Sequence, residues 1–349
     1  MYVLYEKVPK SEEYPNGIKR IEPDTNPFES GPCLISLVAL AGNVSHANGA
    51  LNRGLEALRL QTSKNVNTGI SMEDIDCRVF SLLYDEPNEV GTTKHFEPTP
   101  EGDFEFAEKY ILPLITKDGQ KIDTSEAMKK LRNINFLTYC NATRIPYRME
   151  QYLKEKMGEL SYSDEEIANI LSQVCVIGYG TETKVKNLKE GITFDSTNIS
   201  VIDCNDQEVG DCYNPRGFKD ALAERKIIYF KKENVCFVNA SGIHSTDSYI
   251  MKDPHLSSLI ASFVTSAVEN SIVNSKSDTF VPLSYSFLLD STKTIRDGIH
   301  QGNDRNELMS IVDSKTQRLK LISDIKKTVA EINELGVQIA AAREENKEK

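Results

Sequence analysis

The chain has 349 residues, 39% hydrophobic and 27% charged, which is typical of a folded protein with a sizeable core. The net charge of −11 and the lack of any basic stripe interleaved with aromatic residues argue against nucleic acid as a partner. No run of about 18 apolar residues predicts a membrane span, and no secretory signal is visible, so we expect a cytoplasmic protein unless it is exported without such a signal.

The cysteines indicate a reducing compartment. There are seven of them, an odd number, and none forms a CxxC pair. Five lie in or at the end of apolar runs, where a reduced thiol packs as a small hydrophobic group. This pattern predicts neither a disulfide framework nor a zinc site, and no metal or organic cofactor is expected.

Apolar runs of strand length alternate with helical patterns along the first half of the chain. Residues 1–30 are polar, with several Pro and Glu, and predict an irregular lead-in. The first strand is expected within 33–40, the second within 76–86, and the third in the run that stops at Cys140.

Helical patterns lie between and after these strands. The apolar face of 104–115 predicts a helix that Pro113 must end or kink. Ser163 and Glu166 form a capping-box pattern that opens another helix. Residues 256–272 have the spacing of a further, well-patterned helix.

The second half of the chain adds further strands. Residues 174–180 and 198–206 are apolar runs, and 226–230 with 235–241 predict a hairpin or two successive strands. The alternation predicts an α/β domain over 31–290, with a mainly parallel sheet and helices on both faces.

The C-terminal segment, 303–349, differs in composition. It has no Pro and is rich in Glu, Lys, Arg and Ala. Apolar residues spaced by threes and fours predict a long amphipathic helix or helical hairpin, frayed at its end. Two interpretations of 304–349 are equally supported. The helix packs on its own domain, or it contacts a protein partner or a second copy in a homo-oligomer.

Candidate chemistry collects where predicted strands end. In a parallel α/β sheet, functional side chains lie at the carboxyl ends of the strands. Cys140 ends the third strand, Asp203 and Asp206 close a later one, and His244 lies in a polar turn after the last. A thiol nucleophile needs a base within hydrogen-bond reach, and that base needs a carboxylate to fix its tautomer.

Over residues 33–272 the chain resembles the α/β-hydrolase superfamily. The resemblance rests on the order of elements, on Cys140 before one helix and on His244 before another. It implies Cys140 as nucleophile, His244 as base and Asp203 or Asp206 as the acid.

The same resemblance implies an oxyanion hole. The backbone N–H of Asn141 would supply one donor, and a second would come from the turn of Asn43 and Val44 after the first strand. Together they would stabilise the tetrahedral intermediate of acyl transfer.

The turn at the cysteine departs from that family's pattern. Glycines usually stand two residues on either side of the nucleophile, but here Thr138 and Ala142 take those places. Pro146 also resists a helix that begins at the cysteine, so we expect a start near Thr143 and a short loop before it.

Two alternatives stand beside a hydrolase or acyl transferase acting on an ester, thioester or amide. Caspase-like peptidases also place a Cys at a strand end, with a His after an earlier strand, which here would be His46 with Cys140. The other alternative is a non-catalytic interaction or effector protein that keeps the fold and works through its C-terminal helix. In that case Cys140 is a buried thiol, and both histidines serve helix entry. The substrate, an acyl compound or other small molecule, is not specified by any motif.

Overall fold

The computed structural model describes residues 2–38, 48–55, 57–58, 77–84, 100–181, 193–206, 208–209, 227–230, 234–240, 242–290 and 299–302. The strands of the main sheet are β1 Tyr2–Lys7, β2 Ile18–Arg20, β3 Cys33–Leu37, β4 Arg78–Tyr84, β7 Ile134–Tyr139, β8 Cys175–Tyr179, β9 Thr197–Asp203, β10 Ile227–Phe230, β11 Val235–Val238 and β12 Ile299–Gly302. Strands β5 Thr116–Lys117 and β6 Gln120–Lys121 form a separate small hairpin.

The helices lie between these strands. They are α1 (48–55 and 57–58), α2 Pro100–Phe106, α3 Leu112–Ile115, α4 Thr124–Leu131, α5 Arg144–Glu159, α6 Asp164–Leu171, α7 Pro254–Lys276 and α8 Tyr285–Asp290. The predicted capping box is confirmed: Glu166 N–H donates to Ser163 Oγ, and Ser163 N–H donates to the Glu166 carboxylate. The predicted segment 303–349 lies outside the described residues.

The α/β prediction is confirmed, although the sheet is mixed rather than purely parallel. Its order is β12-β10-β11-β9-β8-β7-β3-β4-β1-β2. The neighbours from β4 to β11 pair in parallel, whereas β1 joins β2 and β4 antiparallel and β10 joins β11 as the predicted hairpin. Parallel central strands direct their carboxyl ends to one edge of the sheet.

The prediction of an irregular lead-in over 1–30 is wrong. Strands β1 and β2 lie within it and extend the sheet at one edge. Val3 and Leu4 are buried there, and the Glu6 carboxylate pairs with Arg78 of β4. Prolines and charges flank these short strands, so their polar composition conceals the edge strand β2 and its neighbour β1.

Helices cover both faces of the sheet, because successive strand residues point to opposite sides. Phe136 of β7 packs in a core with α2 to α6, whereas its neighbour Leu137 packs in a second core with α1 and α7. Helix α7 crosses the second face against β7, β8 and β9.

Helix α7 is also, in the described part of the chain, the one helix long and apolar enough to cross a membrane. Of its most apolar 18 residues, 78% are buried inside the protein. The helix is therefore apolar on most of its circumference because it lies between the sheet and α8.

Pro113 is accommodated by a local widening rather than by a helix end. A π-turn over Ala107–Ile111 separates α2 from α3, and Leu112 N–H donates to the Ala107 carbonyl. A proline lacks the N–H donor and crowds the preceding turn, so a wider turn just before it relieves both problems.

Arg132 is fully buried where β7, β8 and α7 meet. Its guanidinium donates to the side-chain oxygens of Asn135 and Asn270 and to the carbonyls of Gln173 and Ala267. All four acceptors are neutral, and burial lowers the pKa of Arg132 to about 10. This network ties α7 to the amino ends of β7 and β8.

Candidate active site

Strand β7 delivers Cys140 to a sharp turn at the carboxyl edge of the sheet. Cys140 has a φ of +52°, which is uncommon for a residue other than Gly, Asn or Asp. A 3-10 turn over Cys140–Thr143 follows and runs directly into α5, with Pro146 in its first turn. The predicted delay of the helix is confirmed, but the turn at the cysteine is tighter than the expected loop.

The crowding expected from Thr138 is resolved by the neighbouring strand. The hydroxyls of Thr138 and Thr143 lie 2.9 Å apart and hydrogen-bond. Thr138 pairs with Gly178 of β8, where an added Cβ would lie 3.3 Å from Thr143 Cγ2. The glycine that makes room for the turn is therefore Gly178 on β8, and not a residue of the turn itself.

His244 joins the cysteine to a carboxylate. His244 Nδ1 lies 2.7 Å from Asp206 Oδ2, and the ring also hydrogen-bonds to the Cys140 side chain. Because Asp206 occupies Nδ1, the contact with Cys140 uses Nε2. The His244 side chain is 10% exposed and that of Asp206 is fully buried, while Cys140 is partly exposed. The structure thus brings together Cys140, His244 and one of the two predicted acids.

Asp206 and Asp203 have different partners. Asp206 Oδ2 accepts from His244 and from the Tyr249 hydroxyl at 2.8 Å. Asp203 accepts backbone N–H bonds from Asn205, Ala240 and Gly242. Asp203 therefore shapes the loop that carries His244, and the predicted role of orienting the imidazole falls to Asp206.

The charges of His244 and Asp206 stabilise each other. Burial lowers the pKa of His244, but hydrogen bonds and negative charge from Asp206 and Cys140 outweigh it and raise that pKa to about 10. Burial raises the pKa of Asp206, but hydrogen bonds from His244 and Tyr249 hold it below its ordinary value. At neutral pH the imidazole therefore carries a positive charge beside the anionic Asp206 carboxylate.

The raised pKa of His244 predicts a pH-dependent stability. The folded protein retains a proton that the unfolded chain releases near pH ~6.5, so the stabilisation is complete below that pH and is lost as the pH rises through about 10. Chemical denaturation between pH 6 and 10.5 should show wild type losing on the order of a few kcal/mol relative to His244→Gln. Parallel curves for the two proteins would contradict this, and His255→Gln is the matched control.

The ring of Tyr139 packs against the imidazole and against a second tyrosine. The Tyr139 ring centroid lies 5.0 Å from that of His244 and 5.1 Å from that of Tyr179. Gly180, with φ +56°, leaves room for them, since a Cβ there would approach Tyr139 Cε2 to 2.8 Å. Gly178 and Gly180 thus make room for Thr143 and Tyr139, which lie on either side of Cys140 in the chain.

Several predicted residues are not placed. His46, Asn43 and Val44 lie outside the described residues, so neither the alternative base nor the second oxyanion donor is located. Asn141 is the second residue of the turn that opens into α5, where the first N–H groups have no acceptor within the helix.

Two residues of the site were not predicted. Tyr249 reaches Asp206 from a π-turn over Ser248–Lys252, and Glu208 Oε2 lies 3.5 Å from His244 Nε2. The only feature of the sequence that could have indicated Glu208 is its place beside Asp206, because acidic residues directly after a strand are candidates for the edge of the site.

The six described cysteines form no disulfide with one another. Only Cys77 and Cys140 among them are partly exposed, while the other four are buried. In the same part of the chain, no three His, Cys, Asp or Glu side chains converge as metal ligands would.

No protein-family model matches this chain, and no curated protein matches its sequence significantly. The resemblance to α/β hydrolases accordingly stays a prediction from the sequence.

Proposed function

We propose that this protein is a hydrolase or acyl transferase that attacks an ester, thioester or amide carbonyl through Cys140. The observation that carries the proposal is the position of His244, which contacts both Cys140 and the buried Asp206. A nucleophile, a base and an orienting acid in this order are what acyl transfer requires.

The proposed reaction has two steps. The Cys140 thiolate attacks the carbonyl carbon and forms a C–S bond, and the intermediate then expels the leaving group, which takes a proton from His244 Nε2. In the second step His244 removes a proton from water, or from an acceptor alcohol or amine. The resulting attack breaks the C–S bond and returns the thiolate.

The turn at Cys140 supports both steps. A helical segment begins at the cysteine, so its positive N-terminal end faces the thiolate. The N–H of Asn141 is the proposed first oxyanion donor, and the turn of Asn43 and Val44 is the proposed second.

The contact with His244 favours this function over the two alternatives. A caspase-like arrangement needs His46 beside Cys140, whereas His244 already holds that position together with Asp206. A non-catalytic protein has no need of a cysteine with positive φ, since such strain costs about 1–3 kcal/mol and collects at functional sites. Contact of 304–349 with a partner or second copy remains a separate prediction.

Trapping the acyl-enzyme tests the proposal. Incubation with p-nitrophenyl acetate and rapid acid quench should leave an acetyl group on Cys140, detected by peptide mass spectrometry, because the thioester forms before water attacks. Cys140→Ala should lose the burst of p-nitrophenol. Cys77→Ala, which removes the other partly exposed thiol among the described residues, should keep it. Acetylation of Cys140 no faster than that of Cys77 would overturn the proposed function.

A further inference from the structure

Two carboxylates contact the His244 ring from opposite sides, and they differ in environment. Asp206, at Nδ1, is fully buried. Glu208 lies 3.5 Å from Nε2 and its side chain is 72% exposed. Since Asp206 already orients the ring, Glu208 is not needed for that purpose.

The backbone fixes Glu208 beside the thiol. Its N–H donates to Asp206 Oδ1 at 3.0 Å, and the next residue, Val209, donates to the same oxygen and is buried. The same imidazole hydrogen-bonds to the Cys140 side chain, so the Glu208 carboxylate and the thiol have the His244 ring as a common neighbour.

The charge of Glu208 is open to a ligand. Within the described residues no Lys or Arg forms an ion pair with it, and Arg53, on α1, is paired with Asp247. An exposed carboxylate at the mouth of a site attracts cations and repels anions there.

We infer that Glu208 selects substrates with a positively charged group, an ammonium or guanidinium, close to the reacting carbonyl. This inference rests on the proposed function and names its substrate class as cationic esters, thioesters or amides. On binding, the cation takes the place of His244 as partner of the Glu208 carboxylate. Nε2 then keeps Cys140 as its one partner.

Thiol reagents of different charge test the inference. The probes are two methanethiosulfonates with the same leaving group, one bearing ethylammonium and one ethylsulfonate, and neutral iodoacetamide. Rates of modification at Cys140, followed by peptide mass spectrometry, should favour the cationic over the anionic reagent in wild type. Glu208→Gln should lower this ratio by about fivefold or more, because it removes a negative charge that lies against the same imidazole as the thiol.

Glu126→Gln is the matched control. Its side chain is 55% exposed on α4, and the substitution changes the net charge equally, so the ratio should stay at the wild-type value. An unchanged ratio in Glu208→Gln, with Cys140 still the fastest thiol toward iodoacetamide, would overturn the inference and leave the proposed function standing. If Cys140 reacts with iodoacetamide no faster than Cys77, both fall.

Discussion

Replacing His244 with Gln should lower kcat/KM for p-nitrophenyl acetate by about 10²–10⁴-fold, the usual contribution of a general acid–base residue. Gln can keep a hydrogen bond to Asp206 but cannot carry a proton between the thiol and the leaving group. Steady-state release of p-nitrophenol, with the Cys140→Ala rate subtracted, measures the effect.

Two further variants make this result specific. His255→Gln, at the start of α7, should keep the wild-type rate because its backbone N–H, not its ring, caps the helix through Asp253. Tyr249→Phe removes one of the hydrogen bonds that position Asp206, so its loss should be smaller than that of His244→Gln. A His244→Gln protein within twofold of wild type would show that the imidazole does not take part.

Replacing Arg132 with Met should reduce the free energy of unfolding by about 3–5 kcal/mol, the cost of breaking a buried charged network. The substitution removes one donor from each of four buried acceptors, of which Asn270 keeps a hydrogen bond from Asn274 and the Ala267 carbonyl one from Ser271. Urea denaturation followed by circular dichroism measures the loss.

The control for this variant is Lys156→Met. Lys156 forms an exposed pair with Glu159 on α5, and surface pairs of this kind contribute little to stability, so this variant should unfold close to wild type. If Arg132→Met were as stable as wild type, the cost of burying the guanidinium would equal the contribution of its hydrogen bonds, and the network would not stabilise the junction of β7, β8 and α7.

The elements of this fold that could be predicted are those with a strong local pattern. The apolar runs that became β7 and β8 are long and continuous, and the capping box at Ser163 marks its helix directly. The polar lead-in hid β1, the neighbour of the edge strand β2, because its apolar run is short and buries only a few apolar side chains such as Val3 and Leu4.

The residues that form the site could be predicted from the sequence, but their individual contacts could not. Strand ends placed Cys140 and His244 at one edge, yet Asp203 and Asp206 are three residues apart and only the folded loop decides which one faces the imidazole. Nor does the sequence around Cys140 reveal its positive φ, because the small residue that permits the turn, Gly178, lies on another strand.

Strand β7 connects a region that stabilises the fold with a region of strained backbone. Its amino end adjoins the Arg132 network, and its carboxyl end leads to Cys140. The strand has six residues of about 3.3 Å each, so the two regions lie about 20 Å apart. Sites this far apart contribute to stability independently. The strained backbone at Cys140 is therefore tolerated because the Arg132 network, at the other end of β7, stabilises the fold separately. Substitutions near Cys140 that alter the chemistry need not weaken the junction of the sheet with α7.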